Sequence, residues 1–170
     1  EGSKKKPFKS LKRALKEAGE GVRIELAEGS YYESSLVLYK GGSAERPFII
    51  QGKGFDKSQI KGSQKVENWE KVGEQLWQRK NWTVNSQQVF VNGEPMQQIG
   101  SLSPWHKRKL WDNKETLPPL GEGADDLRLN SFYYDTLEQK LLLMTEVDPN
   151  KELVEASTAD FVLDGQRINH

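Results

Sequence analysis

The first 33 residues combine a helix pattern, a turn and a strand pattern, and this combination constrains the fold more than any other stretch. Five apolar residues recur at the spacing of one helical face: Phe8, Leu11, Ala14, Leu15 and Ala18. Pro7 suits the first turn of a helix, and Gly19 and Gly21 can supply the positive φ that ends one. The alternation in VRIEL (22–26) then predicts a strand. The chain is therefore expected to begin with a short amphipathic helix docked on a first strand.

Short extended segments follow, each closed by a glycine-rich turn. The sequence predicts strands within 35–40, 46–52 and 58–62, at spacings of about twelve residues. This spacing favours a stack of short strands over a sandwich built from hairpins, although periodicity alone does not choose between them.

The pattern changes at Val66 and becomes typical of antiparallel hairpins. VFVNGEPM (89–96) predicts two strands joined by an Asn-Gly turn. A second hairpin is predicted over 131–145, with Phe132–Tyr134 facing Leu141–Met144. Three tryptophans are expected in the core of this region: Trp69, Trp77 and Trp82.

These segments together resemble the N-terminal part of a right-handed parallel β-helix protein of the pectate-lyase-like superfamily. The resemblance is carried by GSKKKPFKSLKRALKEAGEGVRIELAEGSYYES (2–34) and by Pro47–Ile50. It extends to the V-N-G hairpin at Val91–Gly93 and to the F-Y-Y-D segment at Phe132–Asp135, which is similar to an antiparallel insertion in several carbohydrate-active members. The resemblance therefore spans nearly the whole chain.

The resemblance implies a mainly β fold: the first coils of a right-handed parallel β-helix, an N-terminal amphipathic capping helix and an antiparallel β insertion. The expected divisions are 1–65 for the cap and first coils, 66–153 for the insertion with a long loop, and 154–170 for the return to a coil. A cap suits the open end of a solenoid, where strand edges and apolar surface need cover. The chain is accordingly expected to be a fragment whose partners include the remaining coils of a longer protein.

Composition and charge exclude several classes of protein. The 25 basic and 25 acidic residues cancel, which gives no indication of a nucleic-acid or membrane partner. The exception is a basic cluster, interpreted as a solvated helix face with an acidic-polymer site as the alternative: Lys4, Lys5, Lys6, Lys9, Lys12, Arg13 and Lys16. The absence of cysteine excludes disulfides and thiolate chemistry. No apolar run approaches the roughly twenty residues that a membrane helix needs, and no signal peptide is visible.

One polar cluster is a candidate for substrate binding. SPWHKRKLW (103–111) lies in a region rich in proline and glycine, which predicts a long irregular loop. Aromatic rings stack on sugar faces, and basic groups can pair with a uronate carboxylate. The candidate substrate-binding residues are Trp105, His106, Lys107, Arg108 and Trp111. In the alternative interpretation both tryptophans anchor the loop and the basic residues face water.

Catalytic residues stay unassigned, because the superfamily places them on coils beyond this chain. The histidines are His106 and His170, which is too few for a predicted triad or a zinc site. No metal ligand and no cofactor are assigned. Calcium stays open for the whole protein, since some pectate-lyase-like enzymes use it. The candidate ligands in this chain are Asp125-Asp126 and Asp148–Asn150, and both segments are better explained as solvated loops.

By resemblance, the longer protein is expected to act on a polysaccharide or oligosaccharide outside the cytoplasm, in the extracellular space, the periplasm or at the cell surface. It is expected to be a polysaccharide lyase or a glycoside hydrolase, with this part inactive alone. The alternative is a non-enzymatic carbohydrate-binding or adhesive β-helix protein, because a fold does not determine function. A third interpretation is a complete small β-sandwich that binds sugar.

Overall fold

A computed structural model describes residues 1–100 and 120–165, and it is mainly β with one short helix. The described residues form two compact units. Unit 1 is Glu1–Ser63 together with the described residues from Ala159 onward, and unit 2 is the described part of Gln64–Thr158. The divisions expected from the sequence, at 65/66 and 153/154, stay predictions.

The predicted N-terminal helix is present but short. Helix α1 spans Leu11–Ala14 and continues as a single 3-10 turn over Leu15–Glu17. Ser10 caps its start, its hydroxyl accepting a hydrogen bond from the Arg13 amide at 3.1 Å. The Glu33 carboxylate accepts two more, from the amides of Leu11 (2.6 Å) and Lys12. A residue at the end of the second strand therefore satisfies the free amides that start every helix.

Unit 1 contains six short strands: β1 (Arg23–Glu25), β2 (Gly29–Tyr32), β3 (Leu36–Val37), β4 (Ile49–Gln51), β5 (Ser58–Lys61) and, numbered in chain order, β15 (Leu163–Asp164). They form three ladders of two strands each: β1 with β4, β2 with β5 and β3 with β15. All three ladders are parallel. Tyr31, for example, lies opposite Ile60.

The core of unit 1 confirms the amphipathic pattern of the opening stretch. Its buried residues are Leu11, Ala14, Leu15, Ala18, Leu26, Leu36 and Leu38. Phe8 and Ile24 pack against this cluster. The lysines between the apolar positions are exposed, as expected of a solvated face.

Unit 2 contains the remaining nine described strands, except that the first residue of β6, Ser63, belongs to unit 1: β6 (Ser63–Lys65), β7 (Glu70–Lys71), β8 (Leu76–Arg79), β9 (Val89–Val91), β10 (Glu94–Pro95), β11 (Gln97–Gln98), β12 (Ser131–Asp135), β13 (Lys140–Met144) and β14 (Val154–Ser157). One sheet has the strand order β10-β9-β14-β6, and a five-stranded sheet has the order β11-β12-β13-β8-β7. In the described part of these two sheets, β11 pairs with β12 in parallel. The pairs β9–β10, β12–β13, β8–β13, β9–β14 and β7–β8 are antiparallel.

Both predicted hairpins are confirmed. β9 and β10 pair antiparallel across Asn92 (φ 54°) and Gly93 (φ 86°), the two positive φ values that a tight Asn-Gly turn needs. β12 and β13 pair antiparallel with Phe132 opposite Leu143. Asn92 also ties the turn to the chain beyond, because its side-chain oxygen accepts a hydrogen bond from the Leu153 amide at 3.1 Å.

The core of unit 2 contains the tryptophans expected there. Its buried residues are Val66, Trp69, Trp82, Val89, Val91, Phe132, Leu141, Leu143, Val154 and Ala156, and Trp77 packs against them. The Trp69 indole donates to the Val66 carbonyl at 3.0 Å, and the Trp82 indole donates to the Ser86 hydroxyl at 3.0 Å. Each buried ring therefore keeps a partner for its polar N–H.

The predicted mainly β fold is confirmed, whereas the predicted parallel β-helix is not shown. The structure is mainly β with one short helix, and its sheets are mixed and mostly antiparallel. These sheets do not by themselves form a parallel β-helix, since each ladder of unit 1 has two strands. Within the described ranges, no helix has the length and apolar character needed to cross a membrane.

Candidate functional site

The five predicted substrate-binding residues, Trp105, His106, Lys107, Arg108 and Trp111, lie outside the described residues. The two described residues that flank this stretch lie side by side. The Gly100 amide donates a hydrogen bond to the Leu120 carbonyl at 3.2 Å. Gly100 also lies against the ring of Tyr133, close enough that an added Cβ would come within 2.7 Å of the ring. Tyr133 therefore lies beside Gly100, which is hydrogen-bonded to Leu120.

Tyr133 belongs to a polar cluster on one side of the five-stranded sheet, which we call the polar sheet face: Glu70, Gln78, Lys80, Tyr133, Asp135 and Lys140. Cross-strand partners share one side of a sheet, and side chains alternate along each strand. One row across the sheet joins Tyr133, Leu142, Gln78 and Glu70 through successive pairings. The opposite side carries Phe132, Leu141 and Leu143, which are fully buried in the core.

Three residues of the polar sheet face form a hydrogen-bonded group around one carboxylate oxygen. Glu70 Oε2 accepts from Lys80 Nζ at 2.7 Å and from Gln78 Nε2 at 3.0 Å. The hydrogen bond from Lys80 is the largest cause that holds the pKa of Glu70 below its ordinary value of 4.5, and that from Gln78 comes next. The carboxylate of Glu70 is therefore ionised at neutral pH and stays a hydrogen-bond acceptor.

Lys80→Gln should raise the pKa of Glu70 toward 4.5, because the largest stabiliser of the ionised form is lost. Since the folded-state pKa is depressed, the interaction stabilises the fold above the unfolded pKa, and this contribution disappears as pH falls through the folded pKa. NMR titration of the carboxyl carbon measures the shift. Lys71→Gln is the control, because Lys71 lies next to Glu70 on β7 but its ammonium group lies 5.5 Å from the centre of the Trp77 ring. The pKa of Glu70 should change less in this variant than in Lys80→Gln. An unchanged titration in Lys80→Gln would contradict the assignment.

A second charged group occupies the other end of the polar sheet face. Lys140 lies opposite Asp135 in the hairpin, and their charged atoms are 3.8 Å apart. Lys140 Nζ also contacts Glu138 Oε2 at 2.6 Å. The hydrogen bond to Glu138 is the main cause that raises the pKa of Lys140, with added contributions from the charges of Glu138 and Asp135. The side chains of Lys140 and Asp135 are only 19% and 21% exposed, so this pair is partly shielded from water.

The neighbouring tyrosine hydroxyl stays neutral. Burial raises the pKa of Tyr134 above its ordinary value of 10.0, and the negative charge of Asp135 raises it further. A neutral hydroxyl both donates and accepts hydrogen bonds. The aromatic pair Tyr133–Tyr134 therefore borders the charged groups with one ring toward each side of the sheet.

Each of the two segments considered for calcium has side chains that are hydrogen-bonded within the protein, and Asp126 lies at the end of a 3-10 helix, Ala124–Asp126. Asn150 binds the backbone of Trp69 twice, accepting from its amide at 2.9 Å and donating to its carbonyl at 3.0 Å. Asp148 accepts from the Asn150 amide at 3.0 Å, and Asp126 accepts from the Glu122 amide at 2.7 Å. Within 1–100 and 120–165, no cluster of three or more His, Asp or Glu side chains is arranged to hold a metal ion.

The polar sheet face offers charged acceptors, charged donors, an amide and an aromatic ring side by side. Ionised carboxylates accept hydrogen bonds from hydroxyl groups, while lysine and glutamine donate to hydroxyl oxygens. An aromatic ring beside them can lie along the apolar face of a sugar. The sequence analysis missed these residues. The signal was present in the alternation of Phe132-Tyr133-Tyr134-Asp135, which puts Tyr133 and Asp135 on the side away from the core.

Comparisons with known proteins identify two solved structures that share this fold. No protein-family model and no curated protein sequence matches the chain significantly. One similar solved structure is XylC in a complex with xylose, with a TM-score of 0.67 and 20% identity over 98% of this chain and 31% of XylC. Another is a glycoside hydrolase, with a TM-score of 0.67 and 15% identity over 98% of this chain and 45% of that protein. The chain spans less than half the length of either.

At these identities the likeness shows a shared fold and not a shared function. It does not show the pectate-lyase-like superfamily, and that resemblance stays a prediction. The chain therefore shares its fold with parts of two larger proteins.

Proposed function

We propose that the chain is part of a carbohydrate-active protein and that the polar sheet face contacts sugar hydroxyls. The observation that carries this proposal is the fold likeness over 98% of the chain to a protein solved with xylose and to a glycoside hydrolase. Two proteins of different length share this fold and are both carbohydrate-related. A sugar ligand is therefore the best-supported choice among small polar ligands.

The proposal includes an architecture for unit 1: the first two coils of a right-handed parallel β-helix. In support, β1, β2 and β3 follow one another along the chain and each pairs in parallel with a later strand, β4, β5 and β15 respectively. Three parallel ladders in the same order are what two stacked coils of three strands produce. Unit 2 would then be an insertion between β5 and β15 in the second coil.

The polar sheet face supports a sugar site through its chemistry. Asp135 and Glu70 supply acceptors, while Lys140, Lys80 and Gln78 supply donors, on a surface that also carries Tyr133. Sugar hydroxyls both donate and accept, so a mixed set of charged donors and acceptors matches them better than a set of one sign. The partial burial of Asp135 and Lys140 strengthens their hydrogen bonds to a ligand.

The sequence candidates Trp105, His106, Lys107, Arg108 and Trp111 are part of the same proposal, as a second contact for the sugar chain. Their stretch is flanked by Gly100 and Leu120, which are hydrogen-bonded to each other beside Tyr133.

For the whole protein we propose glycoside hydrolysis outside the cytoplasm, without a cofactor in this part, since one fold neighbour is a glycoside hydrolase. Release of new reducing ends, with and without a calcium chelator, tests that activity on the longer protein.

Titration of the chain with xylose and xylo-oligosaccharides, followed by amide NMR, tests the site. We expect shifts centred on Tyr133, Asp135 and Lys140. Asp135→Asn should weaken binding at least about tenfold, because a charge-assisted hydrogen bond contributes roughly 1.5–3 kcal/mol. The same titration with Trp105→Ala tests the sequence candidates.

Glu94→Gln is the matched control, since Glu94 lies in the exposed hairpin strand β10 of the same unit. Its affinity should equal that of the unmodified chain. Shifts that are absent from the polar sheet face, or an equal loss in Glu94→Gln, would contradict the proposed site. Sugar binding here without hydrolysis by the longer protein would instead favour the non-enzymatic carbohydrate-binding scaffold.

A further inference from the structure

Strand β1 of unit 1 has one edge that no strand of the described structure covers. β1 belongs to a two-stranded ladder and pairs in parallel with β4. The Val22 carbonyl and the Leu26 amide are hydrogen-bonded to β4. In a parallel ladder every second residue of a strand bonds to a given neighbour. The backbone amides and carbonyls of Arg23 and Glu25 therefore face away from β4.

This free edge opens onto a groove within unit 1. The groove lies between β1 and the N-terminal segment that carries α1, since residues of both line it. Its volume is about 1010 Å³. Ile24 and Phe8 are half-buried and supply apolar lining. The groove therefore combines unpaired backbone donors and acceptors with apolar surface, which is what an added strand needs.

Two opposite charges alternate along the free edge. Arg23 and Glu25 are exposed, and both line the groove. The guanidinium of Arg23 donates to the neutral side chain of Gln51, and neither Arg23 nor Glu25 forms an ion pair within 1–100 and 120–165. Cross-strand neighbours of opposite charge stabilise a sheet, whereas like charges directly opposite destabilise it. The edge therefore favours a strand with an acidic residue opposite Arg23 and a basic residue opposite Glu25.

We propose that the free edge of β1 binds an extended segment of a partner protein, which adds a strand antiparallel to β1 inside the groove. The segment carries a basic residue opposite Glu25, an apolar residue opposite Ile24 and an acidic residue opposite Arg23. Main-chain hydrogen bonds provide the affinity, and the order of the charges provides the specificity. Antiparallel pairs are more stable per residue than parallel ones. The inference concerns protein recognition and does not rest on the proposed sugar site.

The groove favours a single added strand over a second copy of this chain. A copy that paired through its own β1 would lie on the same side of the joined sheet, by the two-fold symmetry of such a contact. Its N-terminal segment and α1 would then compete with those of the first copy, because these residues lie beside β1 and line the groove in each. A lone extended segment brings no such obstacle.

NMR titration of the isotope-labelled chain with two synthetic peptides tests the inference. The matched peptide is acetyl-Thr-Val-Lys-Val-Glu-Val-Thr-amide, which places its lysine opposite Glu25 and its glutamate opposite Arg23 in the antiparallel register. The exchanged peptide has lysine and glutamate in each other's place. We expect the matched peptide to shift the amide signals of Arg23 and Glu25. It should bind at least about threefold more tightly than the exchanged peptide, because two opposite-charge pairs replace two like-charge pairs.

The variant Arg23→Glu/Glu25→Arg exchanges the two charges of the edge. It should invert the preference between the peptides, a result that loss of structure cannot produce. Glu28→Lys/Lys57→Glu is the matched control, because it exchanges the charges of an exposed ion pair of unit 1 outside the groove, 3.7 Å apart. This control should keep the preference for the matched peptide.

Three results of the titrations would overturn the inference: no shift of the Arg23 and Glu25 amides at millimolar peptide, tighter binding of the exchanged peptide, or an unchanged preference in Arg23→Glu/Glu25→Arg. Analytical ultracentrifugation tests the other occupant of the groove. A monomeric chain supports a partner segment. A dimer that the matched peptide dissociates would assign the edge to a second copy and overturn the proposed partner.

Discussion

Phe132→Ala is expected to lower the free energy of unfolding of unit 2 by about 3–5 kcal/mol. Phe132 is completely buried and lies opposite Leu143, which is also completely buried. Removal of the ring leaves a cavity between residues of both sheets of unit 2, and the close packing of the core prevents its collapse. Urea unfolding followed by tryptophan fluorescence measures the change, because all five tryptophans lie between 64 and 158 in the sequence.

Leu137→Ala is the matched control for the loss of an apolar side chain from the same hairpin. Leu137 lies in the turn between β12 and β13 and is 94% exposed. Its replacement should change the unfolding free energy by less than about 0.5 kcal/mol. If Phe132→Ala destabilised unit 2 no more than Leu137→Ala does, the core described here would be wrong.

Elements defined by local chemistry were predictable from the sequence. The Asn-Gly pair at Asn92-Gly93 predicts a two-residue turn because few other residues accept two consecutive positive φ values. The spacing of Leu11, Ala14 and Leu15 likewise predicts a helix face that becomes buried. In each case, residues within a few positions of one another determine the structure.

Pairings between distant segments were not predictable. β8 lies next to β13 with Trp77 opposite Leu143, although about 65 residues separate them. β3 and β15 are still farther apart in sequence, yet Leu36 lies opposite Leu163. Short strands such as these, two to five residues long, carry too few alternations to specify a partner.

The polar sheet face includes residues whose position the sequence predicts and residues whose position depends on a long-range strand pairing. Asp135 opposite Lys140 follows from the predicted hairpin, because the alternation that buries Phe132 exposes Asp135 on the other side. Glu70 and Gln78 join them only through the long-range pairing of β8 with β13. The aromatic and basic residues at 103–111 are predicted from the sequence because they are adjacent there, whereas the residues of the polar sheet face meet only in the folded chain.

Gly100→Ala is expected to destabilise unit 2 by about 2–5 kcal/mol. Gly100 has a φ of 89°, which an alanine adopts at a cost of about 1–2 kcal/mol. The added methyl group would also lie 2.7 Å from the Tyr133 ring, and an overpacked contact of this kind costs roughly 1–3 kcal/mol. Urea unfolding with fluorescence detection measures the total.

Two further glycines of unit 2 separate the two causes. Gly93 has a φ of 86° with open space around it, so Gly93→Ala should show the backbone cost alone. Gly123 has an extended backbone and open space, so Gly123→Ala should be nearly neutral. The excess of Gly100→Ala over Gly93→Ala then measures the contact with Tyr133. An excess near zero would mean that the ring moves aside freely, and Tyr133 could not be a fixed part of the polar sheet face.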